Sequence, residues 1–149
     1  MHCKTCLPLY LRGKSQKLMR IIYLLIALGV ALVFYLSWRP SPMMEQVWFI
    51  PDWLGRWTDK QSNGDLRTAV PFVFLGGLTG LWLLQTKSPR LWWFFAFIGL
   101  TIVAVIAEVG QLMLPHRYFK WQDILWGSAG TVIGLISASL AWLVIKRFN

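Results

Sequence analysis

The chain has 149 residues, 56% of them hydrophobic and 14% charged, with a formal charge of +9. That balance is too apolar for a soluble domain of this length and indicates an integral membrane protein. The positive surplus does not point to nucleic acid, because the basic residues collect at the ends of apolar stretches, as in membrane proteins.

Residues 1–18 read as a polar, unpatterned cytoplasmic tail carrying Cys3 and Cys6. One Cys-x-x-Cys without a second pair or a neighbouring strand pattern is weak evidence for zinc or redox chemistry, and disulfides are rare in that compartment. Met19-Arg20 ahead of an apolar run is an alternative protein start, which divides the chain into 1–18 and a membrane domain, 19–149. The first apolar stretch, Ile21 to Trp38, follows Lys17 and Arg20 as a signal peptide would. It is longer than the ~7–15-residue core of such peptides, and Ser37-Trp38-Arg39-Pro40 offers no small-x-small cleavage site, so it reads as a permanent anchor.

A long connection runs from Arg39 to Thr68. Its first half, Met43 to Trp57, mixes Trp48, Trp53 and Trp57 with single charges, the composition of a segment at the lipid headgroups. Its second half contains Asn63-Gly64 and reads as a turn into the next helix. Three further apolar stretches follow, Ala69 to Thr86, Leu91 to Leu114 and Ile124 to Ile145. Each approaches or exceeds the roughly 20 residues that cross the hydrocarbon as a helix. The expected fold is all-α, an integral membrane four-helix bundle.

Charge sets the expected orientation. With both termini cytoplasmic, the inner side holds Lys4, Arg12, Lys14, Lys17, Arg20, Lys87, Arg90, Lys146 and Arg147, and no acid. Arg39, Arg56, Lys60, Arg67, Arg117 and Lys120 fall outside, and all six acidic residues lie there or just inside that face of the membrane. This is a positive-inside bias. The tryptophans obey the same geometry: Trp38, Trp92, Trp93, Trp121, Trp126 and Trp142 lie near helix ends, as an aromatic belt requires. Trp48, Trp53, Trp57 and Trp121 also suit a sugar-stacking surface, the less favoured reading.

Lipid gives helices no hydrophobic reason to associate, so close backbone approach through small residues has to hold them together. Gly76 and Gly80 form one Gly-x-x-x-Gly, Gly130 and Gly134 another, and Gly127 extends the second into a groove with Ala138 and Ala141. These glycines are expected to pack helices.

The chemistry-bearing residues cluster between the last two stretches. Thr101, Ala104, Glu108 and Gln111 recur at three- and four-residue spacing and share one helix face. Glu108 precedes Leu114 by six residues, about 9 Å at 1.5 Å per residue, so it lies below the surface but above the midplane. A charge at the bilayer centre costs roughly 2.5–3.5 kcal/mol on insertion scales, and less toward the interface. Arg117, in the short loop from Pro115 to Gln122, is the expected counter-ion for Glu108 or Asp123. Asp123 opens the last helix, where it could serve only as a cap. The candidate polar site is Glu108, Gln111, Arg117 and Asp123. His116 has no nearby nucleophile, and one histidine with two acids is too sparse for a metal, so catalysis by His116 is not expected and no catalytic residue, metal or cofactor is assigned.

At these residues the chain resembles the VanZ-like family of small membrane proteins. Glu108, Gln111, Arg117, Asp123, Gly130 and Gly134 match the family's Glu-x-x-Gln, loop arginine, helix-opening aspartate and paired glycines in order and spacing. Gly127 stands where the family has asparagine, and Asp59-Lys60 matches an upstream Asp-Lys signal that lacks its following histidine. The resemblance implies a multi-pass inner-membrane protein with a role in cell-envelope or exopolysaccharide processes or in teicoplanin-type resistance. It further implies contact with the lipid bilayer and with a lipid-linked envelope precursor or envelope-assembly proteins. A membrane enzyme acting on a lipid-linked glycan and a small proton-coupled transporter are the alternatives.

Overall fold

The computed structural model describes residues 6–41, 43–60, 64–115 and 118–148. It contains five α-helices: α1 (Cys6–Ser37), α2 (Asp52–Thr58), α3 (Gly64–Gln85), α4 (Arg90–Gln111) and α5 (Trp121–Phe148). A 3-10 turn, Met44–Gln46, precedes α2, and the described residues include no strand. Four helices contain segments long and apolar enough to cross a membrane: Gln16–Ser37, Leu66–Gln85, Arg90–Gln111 and Trp121–Arg147.

The helices outrun the apolar stretches that announce them. α1 begins at Cys6, well ahead of Ile21, so much of the sequence read as a polar tail continues the first helix. α3 begins at Gly64 rather than Ala69, and α5 at Trp121 rather than Ile124. Hydropathy reports where a helix meets lipid, whereas backbone hydrogen bonding continues through any residues that tolerate helical φ/ψ. The short helix α2 was not foreseen. Pro51 is its N-cap, and it opens with Asp52, an acid placed where the helix dipole favours one.

Contacts between helices give their directions. Against α5, α3 pairs Ala69 with Gly130, Val73 with Gly134 and Gly80 with Ala138, numbers that rise together, so the two run parallel. Between α4 and α5, Gly127 meets Ala104 and Ser128 meets Thr101, while Glu108 reaches Lys120, numbers that run oppositely. α1 opposes α3 in the same way, through Gly29 against Leu75 and Tyr23 against Trp82. Neighbours in sequence are therefore antiparallel, and α3 touches all three other long helices.

The α3–α5 seam is nearly side-chain-free. A Cβ added at Gly76 would lie 2.5 Å from the Thr131 carbonyl oxygen, at Gly130 2.4 Å from that of Ala69, and at Gly134 2.2 Å from that of Val73. Glycine there permits backbone approach that no other residue allows. Beside the seam, Phe72, Leu75, Leu100 and Ala104 form a small buried cluster, against which Ile26, Val30 and Val33 of α1 pack. The outer faces are the reverse of a water-soluble bundle: Leu24, Leu28, Phe74, Leu125 and Leu143 all point outward and exposed. A continuous apolar exterior of this kind suits a hydrocarbon solvent.

Candidate functional site

The antiparallel order brings four helix ends to one end of the bundle: the C-termini of α1 and α4 and the N-termini of α3 and α5. Between them lies an open cleft of about 580 Å³, a volume that includes space open to the outside. Its deeper wall is apolar, made by Val33 and Leu36 of α1, Pro71 and Phe72 of α3, and Ala104 and Ala107 of α4. Its rim is polar, with Ser37 of α1, Arg67 and Thr68 of α3, Glu108 and Gln111 of α4, and Asp123 of α5. Met44, in the loop after α1, also borders it.

Glu108 sits in the last turn of α4 and is only 3% exposed. Its Oε2 accepts a hydrogen bond from Gln111 Nε2 at 2.9 Å, one turn on along the same helix face. Oε1 accepts the main-chain N–H of Lys120, which ties the loop between α4 and α5 down onto α4. Gln111 Nε2 also reaches Ser37 Oγ at 3.4 Å, a link from α4 to α1. The apolar bundle thus holds a buried carboxylate, supported by donors, at one polar mouth.

Asp123 faces the same cleft from α5. It is the third residue of that helix, inside the first turn rather than at the capping position that the sequence allowed. In the first turn its charge is still favoured by the helix dipole. Arg117 and His116 lie outside the described residues, so the expected Arg117 counter-ion has no described geometry.

The arginine that the structure does place in the cleft is Arg67. Its polar neighbours suggest a turn, yet it stands in the first turn of α3, four residues before Pro71 and five before Phe72 on the cleft side. Carrying the helical period of α3 back by one turn would have found it. Arg67 Nη1 is 3.9 Å from Asp59 Oδ1, with both side chains partly exposed. The same Asp59 carboxylate accepts the main-chain N–H groups of Met44 at 2.8 Å and Glu45 at 3.0 Å. Asp59 therefore clasps the loop above the cleft to the helix beside it.

Trp38 also exceeds its expected part. Its indole N–H donates to the Ala107 carbonyl at 3.2 Å and its ring covers Gly110, where a Cβ would be 2.1 Å from Nε1. A belt residue is here a strut between α1 and α4. Among the described residues no cluster of three or more histidine, cysteine, aspartate or glutamate side chains could hold a metal.

A family model described as VanZ/LLP1 matches residues 10–143, nearly the whole chain. The chain belongs to the VanZ/LLP1 family. No curated protein and no solved structure matches it significantly. The matched span includes the first three membrane-length segments, most of the fourth and the cleft, so the VanZ/LLP1 unit is the bundle rather than one part of it. Gly127, where the VanZ-like pattern has asparagine, lies one turn below Asp123, and a Cβ on it would stand 3.2 Å from Ala104 Cβ and from the Phe72 ring. In this member that wall is apolar and crowded, and the polar groups end at the rim.

Proposed function

We propose that this VanZ-like protein is a multi-pass protein of the plasma (inner) membrane, both termini cytoplasmic, whose cleft opens on the outer face. There it accommodates the polar head of a lipid-linked glycan or peptidoglycan precursor, as a non-enzymatic accessory in envelope or exopolysaccharide assembly or in glycopeptide resistance. The observation that carries the reading is the amphipathic cleft itself. Glu108, Gln111, Arg67 and Asp123 offer carboxylate, amide and guanidinium groups at its rim, while Val33, Leu36 and Phe72 offer apolar surface below. Polar groups fixed above an apolar wall suit a ligand with a polar head and a hydrocarbon tail.

The orientation draws support from charge. Lys17, Arg20, Lys87, Arg90, Lys146 and Arg147 stand at the end away from the cleft, and every described acidic residue stands at the cleft end. Basic residues flanking membrane helices are retained on the cytoplasmic side. Alkaline phosphatase fused after Gln61 should therefore be active, and fused after Asn149 inactive. An active C-terminal fusion would put the cleft on the wrong side for an exported or outer-leaflet ligand. Against a midplane exchange carrier stands the position of Glu108 in the last turn of α4, near one mouth.

A further inference from the structure

The loop between α1 and α3 presents aromatic rings that the bundle does not cover. Trp48 is 89% and Trp53 68% exposed, with Phe49, Trp57 and Met43 exposed beside them. These rings are not displayed on slack chain. Val47 is buried, Asp59 clasps the N–H groups of Met44 and Glu45, and Gly55 lies so close to the loop that a Cβ on it would be 2.6 Å from Glu45 Cα. Trp53 and Trp57, four apart on α2, share one face of that helix.

We infer that the segment from Met43 to Asp59 is a foot that seats in the headgroup layer of the lipid leaflet at the cleft end of the bundle. Two observations select a lipid surface as its partner. The aromatic run is continuous with the apolar exterior of α1: Trp48 meets Phe49 edge-on at 5.6 Å, and Phe49 approaches the exposed Tyr35 at 6.3 Å. The charges from Arg39 to Lys60 cancel, Arg39, Arg56 and Lys60 against Glu45, Asp52 and Asp59, so no strongly charged macromolecule is favoured. Amphipathic indole rings at the ends of membrane helices partition to the headgroup level without needing anionic lipid. Because Met44 borders the cleft, a seated foot also fixes the depth at which the cleft meets the leaflet. The inference rests on the transmembrane placement proposed above and is independent of what the cleft holds.

The test uses the full chain, with Cys3 and Cys6 replaced by serine, in phosphatidylcholine nanodiscs. An environment-sensitive dye is attached at Trp48→Cys, Trp53→Cys or, on the outer face of α1, Leu28→Cys. The foot predicts that nitroxide lipid removes most of the emission from dye at positions 48 and 53 while aqueous iodide removes little, and that adding phosphatidylglycerol changes neither. If iodide quenches both positions like free dye and nitroxide lipid does not, the foot is wrong and the rings face water, as a sugar-stacking surface would. Should the lipid quencher fail at position 28 as well, the transmembrane placement falls and the foot with it.

Discussion

Replacing Gly134 with leucine is expected to remove most of the folded protein, and even alanine at this position should lower it measurably. A Cβ at Gly134 would lie 2.2 Å from the Val73 carbonyl oxygen and 2.7 Å from the Gly77 nitrogen, both main-chain atoms that cannot rotate aside. To admit it, α3 and α5 must separate along their main contact and lose dispersion along the whole seam. Overpacking typically costs about 1–3 kcal/mol and occasionally more, against a total stability of about 5–15 kcal/mol. Gly99 supplies the contrast, since a Cβ there would meet nothing within 4 Å. Gly99→Ala should be neutral or raise stability by about 0.5–1 kcal/mol, because alanine restricts the unfolded chain. The measurement is the yield and thermal midpoint of detergent-extracted protein. Equal yields for Gly134→Leu and the parent would mean that the α3–α5 seam is misplaced.

The second large effect concerns Glu108 and Arg117. Glu108→Gln keeps the side-chain shape and one acceptor oxygen, but its new NH₂ must face a donor such as Gln111 Nε2 or the Lys120 N–H. Leaving one buried group unsatisfied costs about 1–3 kcal/mol, which a folded protein survives. Two roles then predict different patterns. If Glu108 and Arg117 serve only to neutralise each other, the double change Glu108→Gln with Arg117→Gln should perform better than either alone, because a lone buried charge is the costly state. If they meet a ligand, all three variants should lose the envelope or glycopeptide-susceptibility phenotype per folded molecule. The second pattern is expected, and phenotype must be scored beside folded yield for each variant.

What the sequence disclosed follows from what hydrophobicity measures. Four membrane-length helices were legible because lipid demands about 20 apolar residues in a row, and few other structures do. Gly76, Gly130 and Gly134 stood out because small residues recur at helical spacing. Glu108, Gln111 and Asp123 stood out because polar groups are rare beside such stretches, and the fold brings all three to one cleft. Arg67 is not legible as a cleft residue because it lies beyond the apolar part of α3, where polarity resembles a turn although the backbone is helical. The parts played by Ser37, Trp38 and Met44 depend on which helices become neighbours, and hydropathy carries no such information. Asp59 likewise reads as one acid in a polar loop until its main-chain partners, Met44 and Glu45, are known.

The proposed function stands or falls on whether the cleft between α1, α3, α4 and α5 holds the head of a lipid-linked envelope precursor. The most direct measurement is native mass spectrometry of the protein extracted from its own membrane, comparing the parent with Asp123→Asn and with Thr68→Trp, which fills the rim and leaves the Glu108 carboxylate in the chain. The account predicts a bound species with the mass of a lipid-linked saccharide on the parent, lost from both variants while their thermal midpoints stay near the parent's. Finding only bulk phospholipid, retained equally by parent and variants, would contradict it.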